Sequence, residues 1–244
     1  MRPKVLIPIA LGTNRDADLS DAFSLAGADP ETVPLADIRN GVVRLRDFQM
    51  LAVPGGFSYG DALGAGRLLG LDLIGWFADQ LREAVAAGKP IIGICNGFQA
   101  LVRTGLLPGD SGDAGVATLA HNESGRFECR WVTLDPGPAS VWTVELDEPL
   151  RCPVAHGEGK FVASRLDTIE ERNGVVLRYA GDGYPANPNG SAGNVAGVTD
   201  PTGLILGMMP HPENHVLQRQ DPLRGRSGTG NCLPLFQAGV RAAR

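Results

Sequence analysis

Pro90-Ile91-Ile92-Gly93-Ile94-Cys95-Asn96-Gly97-Phe98-Gln99 is the stretch that decides the fold of this chain. Residues 90–95 form a short apolar run of the kind a strand buried on both faces shows, and Phe98, Ala100, Leu101 and Val102 continue into a helix. At the junction, Gly93-Ile94-Cys95-Asn96-Gly97 reads G-x-C-x-G, the pattern of a nucleophile elbow. A strand that reverses sharply into a helix holds the turning residue in a strained conformation, and glycines two residues to either side leave room for the close packing. The helix start adds free backbone N–H groups and a positive dipole end, both of which favour a thiolate. The same letters also fit a buried strand that ends in an unreactive cysteine and a Gly-rich turn, so the motif needs partners elsewhere in the chain.

Strand and helix signals alternate upstream of the elbow. Residues 4–10 are a second apolar run, followed by Leu19, Ala22, Phe23 and Ala26 at helical spacing. Residues 49–53 are a third, ending in Pro54-Gly55-Gly56. Leu73, Ile74, Trp76, Phe77, Leu81, Ala84 and Val85 then mark an amphipathic helix closed by Gly88. Short apolar strands alternating with helices predict a parallel sheet covered on both faces.

From about Val116 the pattern changes. Residues 126–132 alternate with period two, placing Phe127, Cys129 and Trp131 on one face, and Cys129 and Cys152 are expected in the core. Residues 140–145 and 175–179 also read as strands, with a helix over 166–172 between them. The Gly-, Pro- and Asn-rich segment 181–193 is a loop. Residues 195–198 and 203–209 form a hairpin around Asp200-Pro201-Thr202-Gly203, and 233–240 form a last helix. The expected fold is α/β, an open, mostly parallel sheet with helices on both faces and antiparallel strand additions, in a single domain over residues 1–244.

Composition narrows the function classes. With 43% hydrophobic and 20% charged residues the chain is that of an ordinary globular protein, and a net charge of -5 leaves no basic stripe for nucleic acid. Met1-Arg2-Pro3-Lys4-Val5 leads into a strand without an apolar leader, and no apolar run approaches membrane-spanning length. The four cysteines stand far apart with no C-x-x-C pair, and Cys232 sits incidentally beside a Gly-rich stretch. A reduced, cytoplasmic enzyme without a metal is expected.

A cysteine nucleophile needs a base, and the base needs an orienter. Of four histidines, His211 stands in Pro210-His211-Pro212-Glu213 at the end of the strand 203–209. The prolines disfavour helix before them, so the stretch reads as extended, with Glu213 on the same side as His211 and able to fix its tautomer. A proline-stiffened turn carrying an exposed His–Glu pair is the alternative. Position favours the first, because open parallel sheets place their sites at the carboxyl ends of strands. His215 lacks such a carboxylate and is expected as a surface or flanking residue. His121, in a polar loop, and His156, in His156-Gly157-Glu158-Gly159, show no orienter. Attack on a carbonyl also needs an oxyanion hole, for which the N–H groups of Gly56, or Phe57, and Asn96 are candidates. Gly64-Ala65-Gly66-Arg67-Leu68-Leu69-Gly70 does not match a dinucleotide loop, and there is neither a G-x-x-x-x-G-K-[ST] nor an H-E-x-x-H motif.

With the G-x-C-x-G and P-H-P-E segments both in hand, the chain resembles the class I, triad-type glutamine amidotransferases. More narrowly it is similar to the glutaminase subunits of phosphoribosylformylglycinamidine synthase, through Pro54-Gly55-Gly56-Phe57-Ser58-Tyr59-Gly60-Asp61, Arg126-Phe127-Glu128-Cys129-Arg130-Trp131-Val132, His156-Gly157-Glu158-Gly159-Lys160-Phe161 and Pro188-Asn189-Gly190-Ser191. These segments keep the family's order along nearly the whole chain. Phe98, often cysteine in that family, and Asn214, usually arginine, depart from it. The resemblance implies a flavodoxin-like sheet, L-glutamine as substrate, Cys95 as nucleophile, His211 as base and acid, and Glu213 as orienter. Gln99, Asn122 and Ser124 are its candidate substrate contacts. It also implies a synthetase partner subunit carrying ATP and Mg, with a small third subunit in many bacteria, and no cofactor in this chain. Two other readings share the elbow: a glutaminase subunit serving another acceptor, and a non-catalytic reactive-cysteine protein of similar fold, which would not need His211-Pro212-Glu213.

Overall fold

The computed structural model describes residues 1–109, 116–223 and 230–244, so most of the Gly-rich stretch before Cys232 lies outside the described residues. The apolar runs form β1 (Lys4–Ile9), β3 (Met50–Val53), β4 (Ile91–Ile94) and β11 (Ile205–Met208). The last three are buried at every residue, which requires cover on both faces of the sheet. Between the strands lie α1 (Asp16–Leu25), α2 (Leu35–Arg39), α3 (Arg67–Ala86) and α4 (Asn96–Arg103), and the described chain ends in α6 (Leu233–Ala242). α3 packs on α4, and α1 on α6.

Among the described residues the main sheet has nine strands in the order β2-β1-β3-β4-β11-β10-β9-β6-β7. β2 (Asp29–Pro34), β1, β3, β4 and β11 run parallel. β10 (Val195–Thr199), β9 (Val175–Tyr179), β6 (Glu128–Pro136) and β7 (Leu150–His156) continue it antiparallel. A separate antiparallel pair, β5 (Ala117–Ala120) with β8 (Lys160–Ala163), packs against α4, and α5 (Leu166–Glu171) precedes β9. The mostly parallel core with antiparallel additions is the fold the sequence predicts.

The sequence pattern predicts none of α2, β5 and β8, and four further elements differ from expectation. β2 carries the polar sequence DPETVP and shows no strand signal, because an edge strand needs to bury little; only Val33 is buried and both prolines are tolerated there. β7 is not expected as a strand although Cys152 is expected in the core, because Pro153 interrupts an otherwise alternating Leu150, Cys152, Val154, His156 face at the opposite edge. Residues 140–145 are not a strand. The Thr143 and Val144 N–H groups both donate to the Ser140 carbonyl, forming a helical turn that inserts Trp142 beside Phe23, with its Nε1 donating to the Leu204 carbonyl at 3.0 Å. In β6 the period is as expected and the face is inverted. Glu128, Val132 and Leu134 point inward, while Phe127 and Cys129 are exposed, so Cys129 is not a core residue although Cys152 is. A strand's side chains reverse together with its face, so burying Val132 and Leu134 also turns Glu128 inward, where it pairs with Arg130 at 2.6 Å.

Candidate active site

β4 ends at Ile94, and Cys95 turns the chain into α4 with φ 50° and ψ −105°, in the positive-φ region a β-carbon disfavours. The turn is held by its surroundings. The Cys95 N–H donates to the Met208 carbonyl at 2.7 Å, which ties the elbow to β11. A β-carbon at Gly97 would overlap the Val53 carbonyl oxygen, and one at Gly93 would fall 2.6 Å from Leu101 Cδ1, so only glycine allows β3, β4 and α4 to close.

β11 ends beside β4, and the chain passes Pro210 to His211, whose N–H donates to the Pro153 carbonyl of β7 at 2.8 Å. Expected as extended, the segment turns instead. Pro212–His215 is a 3₁₀ turn, which proline can open because its missing N–H would be unpaired there in any case. That turn swings Glu213 back, and its Oε1 meets His211 Nδ1 at 2.7 Å with both residues buried. The other ring nitrogen, Nε2, is buried, makes no other hydrogen bond and faces Cys95. Burial opposes a charge on His211, but the Glu213 carboxylate and the Cys95 sulfur outweigh it and push its pKa up to about 10. The imidazole therefore carries a proton at neutral pH. Gly55 lies between the two: a β-carbon there would come 2.8 Å from His211 Cε1 and 3.5 Å from Cys95 Cβ.

Cys95 opens on a cavity of about 190 Å³ whose walls include Gly56, Asp61, Gln99, His121 and Glu158. The Phe57 N–H is spent on the Gly12 carbonyl at 3.0 Å, which leaves Gly56 as the donor that the loop can offer. Asn96, first residue of α4, has one of the N–H groups that a helix start leaves unpaired. Its side chain binds the two segments: Oδ1 accepts from the Ser58 N–H at 3.2 Å, and Nδ2 donates to Gln99 Oε1 at 3.1 Å and to Asp61 Oδ1 at 3.3 Å.

The three expected substrate contacts separate. Gln99 lines the cavity, with Nε2 donating to the Glu158 carbonyl at 2.7 Å. Asn122 is buried and committed to four bonds, donating to the Arg126 and His156 carbonyls and accepting from the Gly159 N–H and His156 Nδ1. Its amide organises the loop, leaving no group for a ligand. Ser124 donates to Glu128 Oε1 at 2.6 Å and lines a different cavity of about 530 Å³, with Arg126 and Tyr184. His156 does have an orienter, Asn122, but burial and the charge of His211 push it down to about 4, so it stays neutral. His215 is buried rather than at the surface: Nδ1 meets the Arg151 carbonyl, and Trp131 stands edge-on at 5.3 Å. Phe98 stacks on Phe161 at 6.1 Å, filling its family-atypical place as core. Asp61 and Glu158 went unnoticed as cavity residues. Their signal was present, since each ends a Gly-rich motif, S-Y-G-D and H-G-E, that carries backbone up to the site. Among the described residues no group of three or more His, Cys, Asp or Glu is placed to hold a metal ion.

A parallel sheet whose adjacent strands present a cysteine at an elbow and a His–Glu pair defines the class of triad-type glutamine amidotransferases. The family model for the CobB/CobQ-like glutamine amidotransferase domain matches residues 2–241. Phosphoribosylformylglycinamidine synthase subunit PurQ of Treponema denticola is 44% identical, with 98% of this chain and 98% of that protein aligned. The PurQ subunit of Dehalococcoides mccartyi is also 44% identical, over 99% of this chain and 98% of its own length. A chain in the structure of PurLQS from Thermotoga maritima superposes with a TM-score of 0.80 at 32% identity, covering 100% of both chains. A putative GMP synthase subunit from Thermoplasma acidophilum, 14% identical with a TM-score of 0.60, shares the fold. The chain belongs to the PurQ family of phosphoribosylformylglycinamidine synthase subunits.

Proposed function

We propose that this chain, working as one domain, hydrolyses L-glutamine to glutamate and ammonia and delivers the ammonia to a synthetase subunit. The observation that carries this reading is the convergence of Cys95, His211 and Glu213 at the carboxyl ends of β4 and β11. The Cys95 sulfur attacks the side-chain amide carbon of glutamine, with His211 as its proton partner. The Gly56 and Asn96 N–H groups hold the oxyanion. His211 then passes its proton to the departing nitrogen, giving ammonia and a γ-glutamyl thioester, while Glu213 keeps the imidazole oriented and stabilises its charge. Water, deprotonated by His211, hydrolyses the thioester; glutamate leaves and the sulfur is restored.

The ammonia is consumed in the synthetase, which uses ATP and Mg to convert formylglycinamide ribonucleotide to formylglycinamidine ribonucleotide in purine biosynthesis, with a small third subunit in the assembly. The complex is cytoplasmic, and among the described residues no helix is long and apolar enough to cross a membrane. Docking raises a slow intrinsic rate. The test is glutamate release by wild type and Cys95→Ala, each with and without the synthetase. Wild type should respond to the partner and its nucleotides, and Cys95→Ala should release no glutamate in any mixture. Release surviving Cys95→Ala would sink the mechanism, and a full rate in the isolated chain would sink the coupling.

A further inference from the structure

The cavity beside Cys95 carries two carboxylates in its wall, Asp61 and Glu158. Cys95 forms another part of the wall, and the buried His211 Nε2 faces the sulfur. Asp61 Oδ1 accepts from Asn96 Nδ2 at 3.3 Å, and Glu158 Oε2 accepts from the Ala65 N–H at 3.2 Å, so one oxygen of each is anchored and the other makes no hydrogen bond among the described residues. Neither has a basic partner among the described residues; Lys160, two residues from Glu158, pairs with Glu123 instead. Burial and the neighbouring Glu158 charge hold Asp61 above the usual carboxylate range, with the Asn96 bond opposing them. Two like charges facing one half-closed space repel each other until a cation enters it.

At about 190 Å³ the cavity is smaller than the ~300–1,000 Å³ of pockets for drug-sized ligands and suits a single amino acid. Glutamine places its only cation, the α-ammonium, at the opposite end of the molecule from the amide that must reach Cys95. We infer that Asp61 and Glu158 receive the α-ammonium of L-glutamine and thereby restrict the reaction to amides that carry one. Gln99 and Asn96, already bonded to Glu158 and Asp61, brace this wall against the elbow. The inference rests on the glutaminase reading and adds to it the groups that select the substrate.

The experiment compares L-glutamine with its des-amino analogue, 5-amino-5-oxopentanoate, in ammonia-release assays on the complex with the synthetase, for wild type, Asp61→Asn and Glu158→Gln. Each substitution should lower kcat/KM for L-glutamine about ten- to a hundredfold, mainly through KM, as expected for losing a charged hydrogen bond. The des-amino analogue should keep its wild-type kcat/KM or gain. Alkylation of Cys95 by iodoacetamide, which carries no ammonium, should proceed at the wild-type rate in both variants. Equal losses on both substrates, no loss on either, or slowed alkylation in both variants would each overturn the proposal, making the carboxylates bystanders or supports of the elbow. A wild-type complex that releases ammonia from neither substrate would instead break the glutaminase reading itself.

Discussion

The parallel and antiparallel halves of the sheet reach the same cavity by different means. On the parallel side, β3, β4 and β11 are buried throughout, and Cys95 is presented by backbone geometry: a positive φ, glycines at 93 and 97, and one N–H bond to Met208. On the antiparallel side, β6 and β7 alternate inward and outward, and the contribution is made through polar bonds. Pro153 lends its carbonyl to His211, and Asn122 stitches residues 122–126 to 156–159. Asn189 joins Gly159, Tyr179 and Ser191. A site made from backbone has no tolerance for an added atom at its closest approach. One hung on polar bonds tolerates change on its outer face but loses much when a buried member changes.

The contrast would break first at Gly97. Gly97→Ala drives a methyl into the Val53 carbonyl, which neither strand can move aside, so glutamate release should fall by at least on the order of 10²-fold through displacement of Cys95. Wild-type activity in that variant would mean the elbow is less tightly specified than its geometry indicates.

In the antiparallel half, Leu134→Ala removes a fully buried side chain of β6 and should cost about 2–5 kcal/mol in urea unfolding, whereas Cys129→Ser on the opposite face should change stability by less than about 0.5 kcal/mol. A reversed order would mean that the face of β6 is assigned wrongly.

The polar side should also respond to acid. His156 titrates at about 4 when folded and at 6.5 in its ordinary state, because burial first, and then the His211 charge, disfavour its protonation. The unfolded chain then binds a proton that the folded chain refuses. The stability from neutral His156 is thus complete above pH 6.5 and declines as pH falls from 6.5 towards 4. His211 has the opposite sign. Its raised value gives a contribution that is complete below 6.5 and fades as pH rises towards 10, outside the acid window. Urea midpoints measured across the acid window should therefore fall more steeply for wild type than for His156→Gln; parallel slopes would remove His156 from the account.

The smallest effect returns to the parallel half. Gly75, in the middle of α3, has open space where a β-carbon would go, so Gly75→Ala should stabilise by roughly 0.5–1 kcal/mol in the same assay. Loss of stability there would show that α3 packs against something its surroundings do not reveal.

Legibility followed the same division. β1, β3, β4 and β11 could be read directly, since a strand buried on both faces leaves a continuous apolar run that turn residues bracket. Residues 140–145 misled because Val141, Trp142, Thr143 and Val144 have strand-like composition, while Ser140 bonds the Gly203 carbonyl and captures a turn instead. β2 was silent because an edge strand can bury little, and β7 because Pro153 interrupts its alternating face. At the site, the strained turn at Cys95 and the pairing of His211 with Glu213 were legible from local motifs. The role of Asn122 was not, since a polar side chain in a loop looks the same whether it awaits a ligand or holds the loop together.

By itself, then, the sequence determined the strand–helix alternation, the place of the elbow and the pairing of His211 with Glu213. Each of these is written in spacing over a few residues, where chain stiffness and burial act locally. Only the tertiary structure decided that the elbow and the His–Glu turn end adjacent strands, which face of β6 is buried, and which polar residues surround the sulfur. Those outcomes depend on groups far apart in the chain finding hydrogen-bond partners once water is excluded, and no local pattern encodes which partner each will meet. Cys95 became more than a buried thiol at a Gly-rich turn when β11 delivered a charged imidazole to its side.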